Sequence, residues 1–428
     1  MKLSEMNVDE LIAQARTLTS AHEAFRAAAL KLDVTRGKPA TRQLDLSDSM
    51  EQLSREDLFL EDGTDLRNYG GLDGIPAAKK LGAAMLGVQP SEVLVSDNSS
   101  LTLMYLYVSW AFHFGPMGAG TAWRDEGPVK FLAVVPGYDR HFSICEELGI
   151  EMINVPFNAD GPDMEQVEEL VSKDPSIKGM WCVPKYSNPT GHTYSAETVD
   201  RISLLGKIAG PNFRVIWDNA YAVHDLVDPP PVLANVMERC KHHGTEDSVV
   251  QVASTSKITH AGAGISFLGT SKHNLEHFKK RLGIMSIGPN KINQQRHLRF
   301  LKDFNGLRSH MQRHAQVLRP KFELVQQHLT TLEGKEMGTW SVPEGGYFVS
   351  FDAPPGTARQ IVALAAEVGV KLTPAGATFP YGRDPDDSNI RIAPSFPELE
   401  ELDQAMQVFV NCVQLAAVQQ RLQQVRQQ

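Results

Sequence analysis

Between about residues 80 and 270, short apolar runs recur along the chain: "EVLVS" (92–96), "KFLAVVP" (130–136), "IEMINVPF" (150–157), "KGMWCVP" (178–184), "RVIWD" (214–218), "SVVQVAS" (248–254) and "GISFLG" (264–269). Helical stretches separate them. Most of these runs are apolar at consecutive rather than alternate positions, which predicts strands covered on both faces. The expected fold class is therefore α/β, a three-layer α/β/α arrangement around a mainly parallel sheet. Residues 6–32 place Leu11, Ile12, Ala15, Leu18 and Phe25 at helical spacing and predict one helix. After residue 300 the texture changes. A long helix over about 306–332 leads to "WSVPEGGYFVSFD", more helix, "NIRIAPSF" and a terminal helix from about 397. That pattern predicts a smaller α+β domain. The expected division is an N-terminal segment (1–55) joining the small domain, a large domain (56–304) and the small C-terminal domain (305–428).

Composition narrows the class. The 428 residues are 42% apolar and 22% charged, an ordinary globular balance. A net charge of -9 and a pI near 5.9 argue against nucleic acid or an anionic membrane as partner, because both are bound by basic patches. No apolar run approaches the roughly 18 residues that would span a bilayer. The opening "MKLSEMNVDELIAQ" lacks an apolar signal segment, so a cytoplasmic protein is expected. Cys145, Cys182, Cys240 and Cys412 are scattered without CxxC spacing, which fits reduced thiols and no metal site.

Candidate chemistry comes from the residues that follow the strands, because ligands of an open parallel sheet bind beyond the strands' carboxyl ends. "EVLVS" is followed by Asp97-Asn98-Ser99-Ser100 and a helix, "FLAVVP" by Gly137-Tyr138-Asp139-Arg140-His141, and "MWCVP" by the "SNPTG" stretch. "RVIW" ends at Asp218 with Tyr221 just beyond, and "VVQVA" ends in Ser254-Thr255-Ser256-Lys257. A lysine behind hydroxyls can form a Schiff base with a carbonyl cofactor. Ser254 and Ser256 can donate to a phosphate, and Ser99 and Ser100 open a helix whose N–H groups favour an anion. Asp218 stays ionised in apolar surroundings if it faces a cation such as a protonated pyridine nitrogen. Tyr221 and Asn188 can both reach an oxygen on that ring, and Tyr138 can stack on its face. The set suits pyridoxal 5′-phosphate. Each member is commonplace alone: Asn-Pro-Thr-Gly is an ordinary turn and most lysines are solvated. Their order at successive strand ends sets them apart.

At these positions the chain resembles the fold-type-I pyridoxal-phosphate-dependent aminotransferases of class I/II, over nearly its whole length. "DVTRGKP", "NYGGLDGIP", "PGYDRH", "NPTG", "DNAY", "STSK", "PEGGYF", "TPAGATF" and "NIRIAPSF" carry the likeness. "STSKITHAGAGISF" and "SIGPNKINQQRHLRF" look most like a divergent aspartate aminotransferase subgroup allied to MocR-type aminotransferase domains. The resemblance implies Lys257, Asp218 and Tyr221 as catalytic residues. It implies Ser99, Ser100, Tyr138, His141, Asn188, Ser254, Ser256 and a neighbouring subunit's Tyr69 as further cofactor contacts, hence a homodimer with composite sites. Gly37, Asn188 and Arg391 would meet the substrate carboxylate.

One departure stands out. Where the family commonly carries a phosphate-pairing arginine, this chain has Ile265. Lys291, Arg296 and His260 are the candidate replacements, and Arg36, Lys38, Lys185 and Lys291 are candidates for a substrate's side-chain carboxylate. The resemblance points to aspartate and 2-oxoglutarate as the amino acid and 2-oxo acid. A β-lyase or a transaminase of other specificity would share most of these residues. An effector-binding regulator domain would need a winged-helix segment for which the region ahead of residue 36 leaves no room. A dinucleotide enzyme fails because "GAGISF" lacks the third glycine of its motif.

Overall fold

The computed structural model describes residues 2–427. Its strands are β1 (Leu32–Asp33), β2 (Val93–Ser96), β3 (Lys130–Val135), β4 (Glu151–Asn158), β5 (Gly161–Pro162), β6 (Ile177–Cys182) and β7 (Arg214–Asp218). These are followed by β8 (Val249–Ser254), β9 (Ser266–Thr270), β10 (Thr339–Trp340), β11 (Val349–Asp352), β12 (Val370–Lys371) and β13 (Asn389–Ile392). The large sheet runs β2-β9-β8-β7-β6-β3-β4-β5, and its centre, from β4 through β3, β6 and β7 to β8, is parallel.

The consecutive apolar positions have the predicted cause. Phe131, Trp181, Ile216 and Val250 pack on one face with the helices Ser100–Phe114 and Asp139–Leu148. Leu132, Met180, Val215 and Trp217 pack on the other with Met164–Lys173 and Ala196–Ile208. Alternate side chains of one strand thus enter two separate cores.

Two elements depart from the sequence reading. β9 is antiparallel to both of its neighbours, β2 and β8. Residues 255–265 join β8 to β9 without a helix, whereas a parallel return is usually made by a helical crossover. The N-terminal helix spans Val8–Ala27 rather than 6–32. It stops because Ala29 takes a left-handed φ of 50°, an exit usually signalled by Gly or Asn that sequence alone did not show. The chain then forms β1, parallel to β12.

A further core joins both ends of the chain. Leu11 and Leu18 of the N-terminal helix pack with Phe351 of β11, Ile390 of β13, and Phe409 and Cys412 of the helix Leu399–Gln427. β10, β11 and β13 form a small antiparallel sheet there. Among the described residues no helix is long and apolar enough to cross a membrane.

Candidate active site

β7 delivers Asp218 to the carboxyl edge of the sheet, where it is almost fully buried. Its Oδ1 accepts from the Ala220 N–H at 3.1 Å, and its Oδ2 lies 3.1 Å from His141 Nε2. The His141 ring is stacked on Trp181, with centroids 4.4 Å apart and planes within 9°, and Tyr138 meets it edge-on at 5.0 Å. Indole and phenol therefore fix the imidazole plane, and with its proton on Nε2 the histidine donates to the carboxylate.

Lys257 follows β8 and faces the same cleft, its Nζ 5.1 Å from the centre of the Tyr221 ring. Burial lowers the pKa of this lysine from its ordinary value of 10.5, while nearby Asp218 pulls the other way. Burial likewise raises the Tyr221 phenol well above 10. The Lys257 carbonyl accepts from Tyr347 Oη at 3.3 Å and lies 3.3 Å from His224 Nε2. His224 is pushed down to about 3, first by burial and then by the Lys257 charge, so its ring is neutral.

Asn188 arrives on a turn whose first peptide, Asn188–Pro189, is cis. The Gly191 N–H donates to the Ser187 carbonyl at 2.7 Å, and Gly191 has a φ of 74°. Only glycine suits that position: a Cβ there would also lie 2.4 Å from Pro343 Cβ. The turn thus closes against the "PEGGYF" segment and leaves Asn188 buried with its Oδ1 3.3 Å from Arg391 Nη1. Arg391 stands on β13, opposite Ser350, with Phe348 beneath its guanidinium at 4.9 Å.

Ser99, Ser100, Ser254 and Ser256 line the same cleft. Ser99 also caps its helix, accepting from the Leu101 N–H at 3.2 Å. The Ser256 hydroxyl donates to the Asn98 carbonyl at 2.7 Å, and Asn98 Oδ1 in turn accepts from the Gly264 N–H at 3.0 Å.

The family model for aspartate amino-transferase matches residues 6–425. The chain belongs to that family. An aspartate aminotransferase of Corynebacterium glutamicum is 48% identical over 392 residues, 91% of this chain and 90% of its own length. The crystal structure of an aspartate transaminase from Corynebacterium glutamicum matches with a TM-score of 0.95 at 44% identity, covering 98% of this chain and 99% of that one. LysN, an α-aminoadipate aminotransferase of Thermus thermophilus complexed with N-(5′-phosphopyridoxyl)-L-leucine, shares the fold with a TM-score of 0.73 at 19% identity. It covers 91% of this aminotransferase and 93% of its own chain.

Several residues of this aminotransferase sit away from the cleft. Lys291 gives its ammonium to the carbonyls of Asn68 (2.7 Å) and Gly70 (2.6 Å), holding the loop on which Tyr69 stands 85% exposed. Arg296 and His260 turn to Glu51, at 3.8 and 3.5 Å. Lys257 is thus the one basic side chain among the described residues lining the cleft. Ile265 is buried, and beneath it His297 bonds Thr255 and Thr259 at 2.9 Å each. Burial pushes His297 down to about 4, so it supplies no charge either. Arg36 is exposed, and Lys38 lies over the Phe396 ring at 3.8 Å.

Lys185 needs a correction as a possible substrate reader. Its Nζ is 2.7 Å from Asp225 Oδ1, which also accepts from Tyr186 Oη at 2.7 Å. The side chain is a buried brace behind the turn. The Lys185→Met variant is expected to keep its KM for amino acids within about twofold while losing about 1–3 kcal/mol of stability, read from kinetics and urea unfolding. Sequence reasoning missed Trp181, Asn98, Phe348 and Tyr347 as supports, since each acts through contacts between distant segments.

Proposed function

We propose that this aminotransferase moves the amino group of L-aspartate to 2-oxoglutarate, with pyridoxal 5′-phosphate as its cofactor. The carrying observation is that a half-buried lysine of lowered pKa and a buried, histidine-braced aspartate face one cleft, with Arg391 at its edge. The donor set fits the cofactor: an acid for a ring nitrogen, an amine for a carbonyl, and hydroxyls at a helix start for a phosphate. When bound, the cofactor supplies an electron sink for charge developing at the substrate Cα.

This chain's residues do the rest. Asp218, aimed by His141, would hold the proton of the ring nitrogen. Tyr221 and Asn188 would bind the ring oxygen, and Tyr138 would cover the ring face. Ser99, Ser100, Ser254, Ser256 and the N–H groups of the helix Ser100–Phe114 would cradle the phosphate, with no arginine at position 265 to neutralise it. Arg391 would take the α-carboxylate beside Gly37. Lys257, whose charged form burial disfavours, would take the Cα proton onto its Nζ and give it up again within the same cleft.

The homodimer is part of this reading. Exposed Tyr69 lies on a loop packed against Gly288, next to exposed Ile284, Met285 and Ile287, an apolar rim suited to a second copy. There Tyr69 would reach the neighbour's phosphate. Four buried, unpaired cysteines accord with the cytoplasm.

Initial rates with a panel of amino donors and 2-oxoglutarate test the substrate. Aspartate is expected to exceed alanine, leucine and phenylalanine by at least about tenfold in kcat/KM. A faster apolar donor would remove aspartate and leave the transaminase chemistry intact.

A further inference from the structure

Arg391 is a buried guanidinium with an uneven set of partners. Nη1 donates both of its hydrogen bonds, to Asp139 Oδ1 at 3.2 Å and to Asn188 Oδ1 at 3.3 Å. Its Nε is buried and has no partner. Phe348 supports the guanidinium from below and cannot retreat, because it lies against Gly37, where even a Cβ would come within 2.1 Å of its ring. A planar group held at Nη1 and along one face has its remaining donors aimed in one direction.

The position of Asp139 suits that task. It is the first residue of the helix Asp139–Leu148, directly after the N-cap Tyr138, where a helix favours a negative charge. The same turn carries His141 to Asp218. One helical turn therefore sets the aromatic face of the cleft, the partner of its carboxylate and the partner of its guanidinium. The Asp139 side chain is 37% exposed, so solvent screens its charge and the directed hydrogen bond to Nη1 is its main contribution.

We propose that Asp139 is a positioning residue for the carboxylate subsite: by accepting from Arg391 Nη1 it turns the unpartnered Nε edge toward the incoming carboxylate. The proposal rests on the assignment of Arg391 to the substrate α-carboxylate. Asparagine keeps the accepting oxygen and substitutes; alanine does not.

The test is steady-state kinetics of the holoenzyme with aspartate and 2-oxoglutarate, together with the Ki of the unreactive dicarboxylate maleate. Asp139→Ala is expected to raise both KM values and the Ki about tenfold with kcat within about threefold, whereas Asp139→Asn stays within about threefold throughout. Asp139→Ala without effect, or Asp139→Ala and Asp139→Asn shifting KM and Ki equally, overturns the positioning role. Arg391→Ala is the reference. If it raises KM while Asp139→Ala does nothing, the Asp139 proposal alone is lost. If Arg391→Ala leaves KM and Ki unchanged, the Arg391 assignment falls and this proposal falls with it.

Discussion

Lys257→Ala is expected to lower the kcat of transamination by about 10⁴-fold, the upper range for removing a positioned acid–base group. The size follows from the surroundings. Among the described residues no other amine lines the cleft, and the nearest titratable neighbours are poor substitutes. The Tyr221 phenol is held well above its ordinary value by burial, and the His224 ring, its pKa pushed down to about 3, points its Nε2 at the Lys257 backbone rather than into the cleft. Neither takes a proton from carbon near neutral pH. The fold should survive, because the lysine is only half-buried and its carbonyl bonds to Tyr347 and His224 do not need the side chain. Stopped-time assays of 2-oxo acid release, with circular dichroism as a control for folding, read the outcome. A variant within about tenfold of the parent would remove Lys257 from the proton path.

Arg391→Ala is expected to raise KM for both substrates by about 10²- to 10³-fold, with a smaller loss in kcat, since a buried guanidinium–carboxylate contact is worth several kcal/mol to a ligand. Stability should change little. Asp139, the acidic partner left behind, is partly solvated, and Asn188 loses one of its contacts. Arg391→Lys should rescue poorly, because a point charge cannot reproduce the fork of donors or lie flat on Phe348. A KM within about threefold of the parent for Arg391→Ala would move the carboxylate subsite elsewhere.

Much of the architecture was legible because it depends on local pattern. Runs apolar on both faces announced β3, β6, β7 and β8, and the residues after them were those brought to one edge. Pattern says nothing of pairing direction, so the antiparallel β9 became clear only from its pairing with β8 and β2. The end of the first helix was hidden because Ala29, not a glycine, adopts the left-handed exit.

Within the cleft, residue identity outran residue placement. Lys185 reads as a cation beside the Asn-Pro-Thr-Gly turn, yet the ion pair with Asp225 turns it away from the cleft. Asp139 reads as a helix start, and its bond to Arg391 spans 252 positions of sequence. The Trp181 face that fixes His141 comes from near the end of β6 and has no sequence signal of its own.

The most direct test of the account is a titration of the purified, cofactor-loaded protein with L-aspartate, without any oxo acid, followed by absorption and by the product released. The expected result is loss of the visible band in step with aspartate, about one oxaloacetate per active site, and return of the band when 2-oxoglutarate is added. A spectrum unmoved by aspartate, with no oxaloacetate formed, would contradict it.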